Sequence, residues 1–452
     1  MVMKPHGGQS QPFSKPDCRG AQPTLPVSPA EANPVRGNPP SVRLGLFSSF
    51  YPRVDRVAPA GTGMVLLLSQ ASEVERVTCY VPFGSSVPES HDTSKVVLKS
   101  SWAYDDPVSL IRTIFHMILD SRSTDLFIFN IYLTSFGDGA ISNGIGLLLP
   151  IVLARVSRAR VLVYMHNLVE TQELESLGYG KRKASAWIAS IIERLLVSSV
   201  RVVVPLRAQS KCLMDAHGWR LPSLILPYID GVSGVSRSVP HAAPPPRGAS
   251  EHLRVLLFGA WGPQKDLEGA VSMLSEISSS GFPLEVLIAG SLNSGFKSRK
   301  DEYLRVLSRL PRGLFSFYGN LPFSDVPPES VQQLMHSVDV LLLPYNAAGG
   351  YSSIMSIAAL HGLPIISYDV AQLREFDGEI QAGTIFIAPR DAGGLLQALH
   401  KVKSRKRATD ADILGNLTLA RGRMLELVTI GMDRESARQW LSSGGPERRP
   451  QV

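Results

Sequence analysis

From residue 42 onward, short apolar runs alternate with helical stretches, and this alternation constrains the fold more than any other feature. Each run is a nearly continuous apolar block, which is typical of parallel strands that are buried on both faces and joined by crossover helices. The first six runs are VRLGLF, RVTCYV, DLFIFN, RVLVYM, VRVVVP and SLILPY, and the next six are LRVLLFG, LEVLIAG, LFSFYG, VDVLLLP, LPIISY and TIFIAP. The sequence therefore predicts an α/β protein with two doubly wound, parallel, Rossmann-like sheets that face a cleft.

Chain length and local composition predict how the sheets are divided. A chain of 452 residues is too long for one ordinary core, and stretches rich in Pro, Ser and Gly without apolar periodicity favour tails and linkers. The predicted parts are a disordered Pro-rich tail over 1–40, a first Rossmann-like domain over 41–230, a linker over 231–252, a second Rossmann-like domain over 253–408, C-terminal helices over 409–443, and a disordered tail over 444–452.

Charge and cysteine usage exclude several classes of function. The formal net charge is +7, but the basic clusters lack the interleaved aromatic residues of a single-strand binder, so no nucleic-acid partner is expected. Cys18, Cys79 and Cys212 have neither disulfide-framework nor zinc spacing, which favours a reducing cytoplasm and no metal site. The longest apolar run, residues 144–154, falls well short of the roughly 20 residues of a spanning helix.

One loop carries the strongest functional signal, the stretch AGGYSSIMSIAALHGLP at 348–364. Gly349 and Gly350 allow a close turn, and Ser352 or Ser353 is a suitable N-cap for the apolar helix that follows. The N–H groups at such a helix start, with the helix dipole behind them, form a seat for a phosphate. An ordinary tight connection between strand and helix is the alternative.

A second loop places a lysine where the helix dipole disfavours it. The segment GAWGPQKDLEGA follows the first strand of the second predicted domain, with Gly259 and Gly262 permitting close approach and Lys265 opening the next helix. A cation in the first turn opposes the dipole unless an anion lies in front of it, so Lys265 and the helix start at 352 are expected to flank a diphosphate. The alternative is a solvated surface lysine.

Three further strand ends supply weaker candidates. His166 follows RVLVYM and either is a hydrogen-bonded structural histidine or faces the cleft. Gly61, Thr62 and Gly63 are expected in a turn just before an apolar helix, where a plain cap is the alternative. Glu375, after the strand LPIISY, either holds sugar hydroxyls or is simply exposed.

These residues resemble a known family, the retaining two-domain glycosyltransferases of GT-B architecture in the group that includes the bacterial mannosyltransferases, family four of the usual classification. The strongest block is FYGNLPFSDVPPESVQQLMHSVDVLLLPYNAAGGYSSIMSIAALHGLPIISYD, and GAWGPQKD, HNLVET and VVVPLRAQSKCLMDAHGWRLPSLILPYIDG are supporting matches. Two departures stand out. Ala260 replaces the family's usual Arg, and Gly349 and Ile357 occupy the places of its paired glutamates.

The resemblance implies transfer of a sugar from a nucleotide-diphosphate donor, held by the second domain, to a glycan, lipid or other acceptor held by the first. Retention of configuration and independence of a metal are implied with it, and no cofactor is expected. By this carry-over Lys265 and His166 would be catalytic, Gly259, Gly262, Gly349, Gly350, Tyr351, Ser352, Ser353 and Glu375 would bind the donor, and Gly61, Thr62 and Gly63 would form the acceptor-side loop. A noncatalytic sugar-nucleotide binder and a sugar-nucleotide epimerase remain alternatives.

The segment GKRKASAWIASIIERLLVSS adds an expectation about location. Three cations precede a helix that carries Trp187, Ile188 and Leu195, a pattern that fits either peripheral contact with an anionic inner membrane face or an ordinary core-facing helix. The sequence thus favours a cytoplasmic protein and leaves peripheral contact with an anionic lipid surface as one of two alternatives for this segment.

Overall fold

A computed structural model describes most of the chain outside the two ends. The described residues are 41–50, 58–86, 94–168 except 134 and 138, 183–218, 221–226, 252–292, 300–347 except 309, 310, 312, 321, 325 and 327, 352–404 and 410–432. The predicted tails, almost all of the predicted linker at 231–252, and the last predicted helical pattern at 432–443 lie outside these residues apart from positions 252 and 432, so their structure stays a prediction.

The first sheet contains six parallel strands in the order β3-β2-β1-β4-β5-β6. The strands are β1 (Val42–Phe47), β2 (Val74–Pro82), β3 (Val96–Trp102), β4 (Leu126–Ile131), β5 (Arg160–Met165) and β6 (Arg201–Val203). The chain order reverses between β1 and β4, which pair in parallel with Phe47 opposite Phe129. Ligands of open α/β sheets bind beyond the carboxyl ends of the strands at such a switch point.

The second sheet repeats this topology in the order β12-β11-β10-β7-β8-β9. Its strands are β7 (Leu253–Phe258), β8 (Leu284–Ala289), β9 (Phe315–Phe317), β10 (Val340–Leu343), β11 (Ile365–Tyr368) and β12 (Ile385–Ile387). The switch point lies between β7 and β10, which pair in parallel. The predicted α/β fold class is therefore confirmed: the described chain has two doubly wound parallel sheets.

Helices cover both faces of each sheet. Those named below are α1 (Ala58–Ser69), α2 (Pro107–Asp120), α3 (Ala140–Val156), α4 (Lys183–Ser199), α5 (Arg207–His217), α6 (Leu267–Ser279), α7 (Lys300–Ser308), α8 (Pro328–His336), α9 (Ser353–Leu360), α10 (Ala371–Ile380), α11 (Ala392–Ser404) and α12 (Asp410–Gly431). On the first sheet, α1 and α12 bury one face, while α2, α3 and α4 bury the other.

The helix α12 follows the second sheet in the sequence but packs mainly on the first half of the molecule. It contacts α1, β4, β5 and the helix α9 of the second half. Its residues Ala420, Met424 and Val428 belong to the same buried cluster as Leu44 and Leu46 of β1. The C-terminal part of the described chain thus joins the two halves.

Two strand assignments from the sequence need correction. The run SLILPY is not a strand where it is described, because Ser223 makes only an isolated bridge with Val204. The sixth strand of the first sheet is instead VVLKSSW, now β3. It escaped detection because it is an edge strand, whose exposed positions tolerate Lys99 and serines and so break the continuous apolar pattern.

The long apolar helix α3 runs through Pro150 without ending there. Within the described part of the chain, no helix is both long and apolar enough to cross a membrane.

Candidate functional site

Lys265 lies at the switch point of the second sheet. It is 8 % exposed and forms an isolated antiparallel bridge with Tyr345, so the segment after β7 is tied to the segment after β10. Its ammonium nitrogen lies 4.9 Å from the ring centre of Tyr345 and 5.7 Å from that of Trp261. Within the described residues the Lys265 ammonium has no hydrogen-bond or ion-pair partner, and the rings of Tyr345 and Trp261 are its aromatic contacts.

The lysine can occupy this position because of Gly259, the first residue after β7. A Cβ atom on Gly259 would lie 2.2 Å from the Lys265 ammonium nitrogen, and the residue has a φ of +139°, which L side chains rarely adopt. The lysine side chain therefore folds back over bare backbone. The same virtual Cβ would lie 3.9 Å from Ile354, so the ammonium is near the first turn of α9.

The helix α9 has its predicted N-cap at Ser352. The Ser352 side chain accepts a hydrogen bond of 3.3 Å from the backbone N–H of Met355. The Tyr345 hydroxyl lies 3.4 Å from the Ser352 hydroxyl. Tyr345 thus connects the lysine to the helix start. Gly349, Gly350 and Tyr351 fall outside the described residues, and their predicted contacts with a donor stay predictions.

The next residue, Asp266, is the N-cap of α6, which begins at Leu267. Lys265 therefore precedes the helix, and its predicted place in the first turn is wrong. The Asp266 carboxylate accepts a hydrogen bond from the Gly269 N–H at 3.0 Å and binds the Arg390 guanidinium through two contacts of 2.7 and 2.9 Å. Burial alone would raise the pKa of Asp266, but the bonds from Arg390 and Gly269 outweigh it and lower the pKa. Lys265 is not the partner of this carboxylate, so its charge is left for another anion.

At the switch point of the first sheet, His166 ends a chain of buried hydrogen bonds. Its Nε2 atom lies 2.6 Å from the Asn130 amide oxygen, the Asn130 amide nitrogen donates to the Ser48 hydroxyl at 2.9 Å, and Ser48 donates to the Ser49 carbonyl at 3.1 Å. The direction of this chain assigns the proton to Nε2 of His166. Burial lowers the pKa of His166 to about 3, so the imidazole is neutral at pH 7.

Aromatic rings complete the surroundings of His166. Tyr132 stacks on the imidazole with ring centres 4.6 Å apart, and Tyr164 meets it edge-on at 4.9 Å. The Gln209 amide donates to the His166 carbonyl at 3.1 Å. His166 is therefore a tightly held, uncharged group at the carboxyl end of β5.

The predicted acceptor-side glycines lie inside a helix and not in a turn before it. Gly61, Thr62 and Gly63 belong to α1, which begins at Ala58. A Cβ on Gly61 would lie 2.3 Å from the Ser48 hydroxyl and 2.4 Å from the Ser49 carbonyl oxygen. Gly61 thus lets α1 pack closely against Ser48 and Ser49, which belong to the hydrogen-bond chain that includes His166. Thr62 is buried in the same helix.

Glu375 has partners that the sequence did not indicate. Its carboxylate accepts hydrogen bonds from the backbone N–H groups of Arg207 and, at 3.2 Å, Ala208. It therefore caps the N-terminus of α5, where a carboxylate also compensates the helix dipole. One turn later Glu379 binds Arg207 at 2.9 Å and Arg423 of α12. This arrangement connects the two halves of the molecule and does not place Glu375 with Lys265.

The predicted residues thus fall into three groups. Gly259, Gly262, Lys265, Ser352 and Ser353 lie around the second switch point, His166 and Gly61 meet through Asn130 and Ser48 at the first, and Glu375 lies apart from both. Sequence reasoning missed Tyr345, Asn130 and Ser48. Asn130 had a signal, because it is the one polar residue at the end of the apolar run DLFIFN.

Within the described ranges, no three His, Cys, Asp or Glu side chains are grouped closely enough to hold a metal ion. The positive groups described around the second switch point include the side chain of Lys265 and the N-terminus of α9, while the Arg390 guanidinium is paired with Asp266.

Comparisons with known proteins find relatives by structure and not by sequence. No described protein family and no curated protein matches the sequence. Among solved structures, sucrose-phosphate synthase from Thermosynechococcus elongatus is similar with a TM-score of 0.53 and 13 % identity, over 89 % of this chain and 99 % of that one.

Two further solved structures share the fold. HepE of Anabaena in complex with UDP has a TM-score of 0.53 and 12 % identity, over 89 % of this chain and all of that one. The UDP-forming α,α-trehalose-phosphate synthase of Burkholderia xenovorans, in complex with glucose-6-phosphate, has a TM-score of 0.54 and 10 % identity, over 88 % and 99 %. Identities this low establish the two-sheet fold alone.

Proposed function

We propose that this protein is a glycosyltransferase that moves a sugar from a nucleotide-diphosphate sugar to a glycan or lipid acceptor. The observation that carries the proposal is the Lys265 ammonium, which is buried at a switch point without an anionic partner among the described residues. An unpaired buried charge is costly unless a ligand compensates it. One of the solved structures similar to this chain, HepE of Anabaena, is in complex with UDP, which supports a nucleotide donor.

The diphosphate of the donor binds between Lys265 and the N-terminus of α9. The lysine supplies a point charge, and the first N–H groups of the helix supply donors that have no intrahelical partner. When the bond to the sugar breaks, negative charge grows on the leaving diphosphate, and groups that are fixed in advance stabilise it. In this proposal the protein needs no bound metal, and the transfer retains the anomeric configuration.

His166 acts from the other sheet as a neutral group. Since its pKa lies near 3, it cannot supply positive charge to the diphosphate at pH 7. It instead positions the end of β5 beside the acceptor and the transferred sugar, together with Asn130 and Ser48. The charge needed for departure of the leaving group therefore comes from Lys265 and α9.

A thermal-shift screen with the UDP, GDP, ADP and CDP forms of common sugars tests the donor. A nucleotide that binds the native state raises the apparent melting temperature, and we expect one base to do so with EDTA present. The stabilising donor, labelled in the sugar, is then incubated with glycan and lipid-linked acceptors, and NMR of the product gives its anomeric configuration.

Three outcomes speak against parts of the proposal. Absence of a shift with any nucleotide sugar would remove the donor site. Binding without turnover over a broad acceptor panel would identify a noncatalytic sugar-nucleotide binder. Conversion of the donor to its epimer without an acceptor would identify an epimerase.

A further inference from the structure

The outer surface of α2 and α3 is unusually apolar for a surface exposed to water. On α2 the exposed residues are Val108, Ile111, Phe115 and Leu119, and on α3 they are Ile141, Leu148, Val152 and Val156. These spacings place each set along one side of its helix. The inner sides of the same helices are already buried against the first sheet through other residues, such as Leu110 and Leu153, so these sets point away from the core.

The two sets form one surface. The helices α2 and α3 contact each other and lie in the same layer over the sheet. Leu119 is 74 % exposed, Ile141 73 %, Val108 63 % and Phe115 60 %. Large contiguous apolar patches are rare on soluble proteins and mark contact with another apolar body. We refer to these eight residues as the α2–α3 stripe.

Exposed arginines border the α2–α3 stripe. Arg112, Arg122, Arg155 and Arg158 are exposed on or directly after the two helices and have no ion-pair partner within the described residues. In residues 107–133 and 139–160 the carboxylates are Asp120, paired with Lys99, and Asp125, paired with Arg43. Just before α2, the carboxylates of Asp105 and Asp106 accept backbone N–H groups at the starts of α3 and α2. The stripe is therefore bordered by uncompensated cations.

We infer that the α2–α3 stripe docks the protein on an anionic lipid surface. The pattern of large apolar residues bordered by arginines is that of an interfacial helix, whose apolar side enters the acyl boundary while its cations meet lipid phosphates. A second copy of the chain is disfavoured, because two such faces would bring arginines of like charge together. On the lipid surface the α2–α3 stripe would bring the protein to a lipid acceptor, and this part of the inference rests on the proposed function.

The inference also changes the region expected from the sequence. The predicted membrane contact was the segment that contains α4, where Trp187 and Ile188 have no described side chains. The described part of α4 exposes Arg194 and Leu195 beside α3, so it borders the stripe and does not replace it.

Cosedimentation with vesicles tests the inference. We use the full chain with vesicles of phosphatidylcholine alone or with about 40 % phosphatidylglycerol. Wild type is expected to sediment with the anionic vesicles, less so with the neutral ones, and less again as salt rises from about 0.1 to 0.5 M. The double variant Phe115→Glu/Val152→Glu should bind at least about tenfold more weakly, since two apolar anchors are lost and two like charges are added.

Two further variants make the comparison specific. Met214→Glu changes an apolar residue of α5 that is 44 % exposed and should leave vesicle binding unchanged. Arg155→Gln/Arg158→Gln should weaken binding several-fold and flatten its salt dependence. Nucleoside-diphosphate affinity and melting temperature, measured without lipid, should be the same in all four proteins.

Several results would overturn the inference. One is absence of wild-type binding to the anionic vesicles, and another is equal binding by the stripe double variant. A third is a wild-type dimer that the stripe double variant converts to a monomer without a change in vesicle binding, which would make the surface an interface between copies. A protein that binds vesicles as expected but no nucleotide sugar would contradict the proposed function alone.

Discussion

The carboxyl ends of the two sheets hold their polar groups in opposite ways. At the first sheet, His166 is neutral, Asn130 bonds with His166 and Ser48, and Ser48 donates to the Ser49 carbonyl. At the second sheet, Lys265 keeps its charge against two aromatic rings and a glycine, without an anionic partner in the described chain. Both sheets have the same strand order, so topology does not account for the difference.

The difference separates stability from binding. A satisfied buried network stabilises the native state and specifies its geometry, whereas an unpaired buried cation destabilises it until a ligand arrives. The first switch point should therefore respond to substitution mainly through stability, and the second mainly through affinity. Four predictions test this contrast, from the largest expected effect to the smallest.

The largest effect is a dependence of stability on pH through His166. Its pKa is about 3 in the folded protein against about 6.5 in an unfolded chain. Between these values the unfolded chain binds the extra proton, so the stabilising contribution is present above pH 6.5 and is lost as the pH falls toward 3. From pH 7 to pH 4 we expect wild type to lose about 3 kcal/mol more than His166→Gln.

Urea unfolding at a series of pH values measures this difference. The His166→Gln variant has no titrating side chain at this position. Subtracting its unfolding free energy from that of wild type at each pH removes the contributions of all other groups. Parallel pH curves for the two proteins would mean that His166 titrates in the folded protein near its ordinary pKa, which would contradict the lowered pKa.

The second effect is the loss of stability on breaking the buried chain. Asn130→Ala removes the amide that accepts from His166 Nε2 and donates to the Ser48 hydroxyl, so two buried hydrogen bonds are lost. We expect the free energy of unfolding to fall by about 2 kcal/mol, with nucleoside-diphosphate affinity within about twofold of wild type in protein that stays folded. Chemical denaturation and calorimetry measure the two quantities, and Gln397→Ala, an exposed amide on α11, is the control.

A tenfold loss of nucleoside-diphosphate affinity in Asn130→Ala, at a temperature where it is folded, would contradict the separation. The two switch points would then be energetically coupled, and the network at the first sheet would take part in donor binding.

Much of this architecture follows from the sequence, because buried parallel strands leave a strong apolar signal. Eleven of the twelve predicted runs overlap observed strands, and the predicted helix start at 352 lies within one residue of Ser353. The signal fails where a strand is at an edge. Polar residues then replace apolar ones, as in β3, and an apolar segment such as SLILPY can be buried without joining the ladder.

The site could be predicted only in part, because sequence gives position along a strand but not the partner across it. Turn chemistry predicted the close turn at Gly259, and helix capping predicted the N-cap at Ser352; the structure confirms both local features. Asn130 and Ser48 interact across two strands, with register set by the pairing of β1 and β4, and no local pattern encodes that pairing. Glu375 shows the same limit, since its partners at the start of α5 are 168 and 167 residues away.

The third effect is a loss of affinity at the second switch point. We predict that Lys265→Met or Lys265→Ala weakens binding of the matching nucleoside diphosphate by at least about tenfold, the scale of a lost charge-assisted contact of roughly 1.4 kcal/mol. Titration calorimetry measures it. Lys300→Met is the control, because Lys300 also lies near a helix start but is exposed. Equal affinity in Lys265→Met and Lys300→Met would show that the diphosphate binds elsewhere.

The smallest effect is the change in unfolding free energy on replacing Lys265. It is the most specific test of the contrast, because substitution should destabilise the first sheet at Asn130 and stabilise the second sheet at Lys265. Without nucleotide, Lys265→Met should be more stable than wild type by about 0.5–1 kcal/mol, since an apolar chain of similar length replaces a buried cation beside Tyr345 and Trp261. The gain is limited because the cation loses its contacts with the two rings. A saturating nucleoside diphosphate should remove this advantage, since only wild type gains the full binding energy. Denaturation with and without nucleotide measures both terms, and a variant less stable than wild type in the absence of ligand would mean that Lys265 is a structural residue like those of the first sheet.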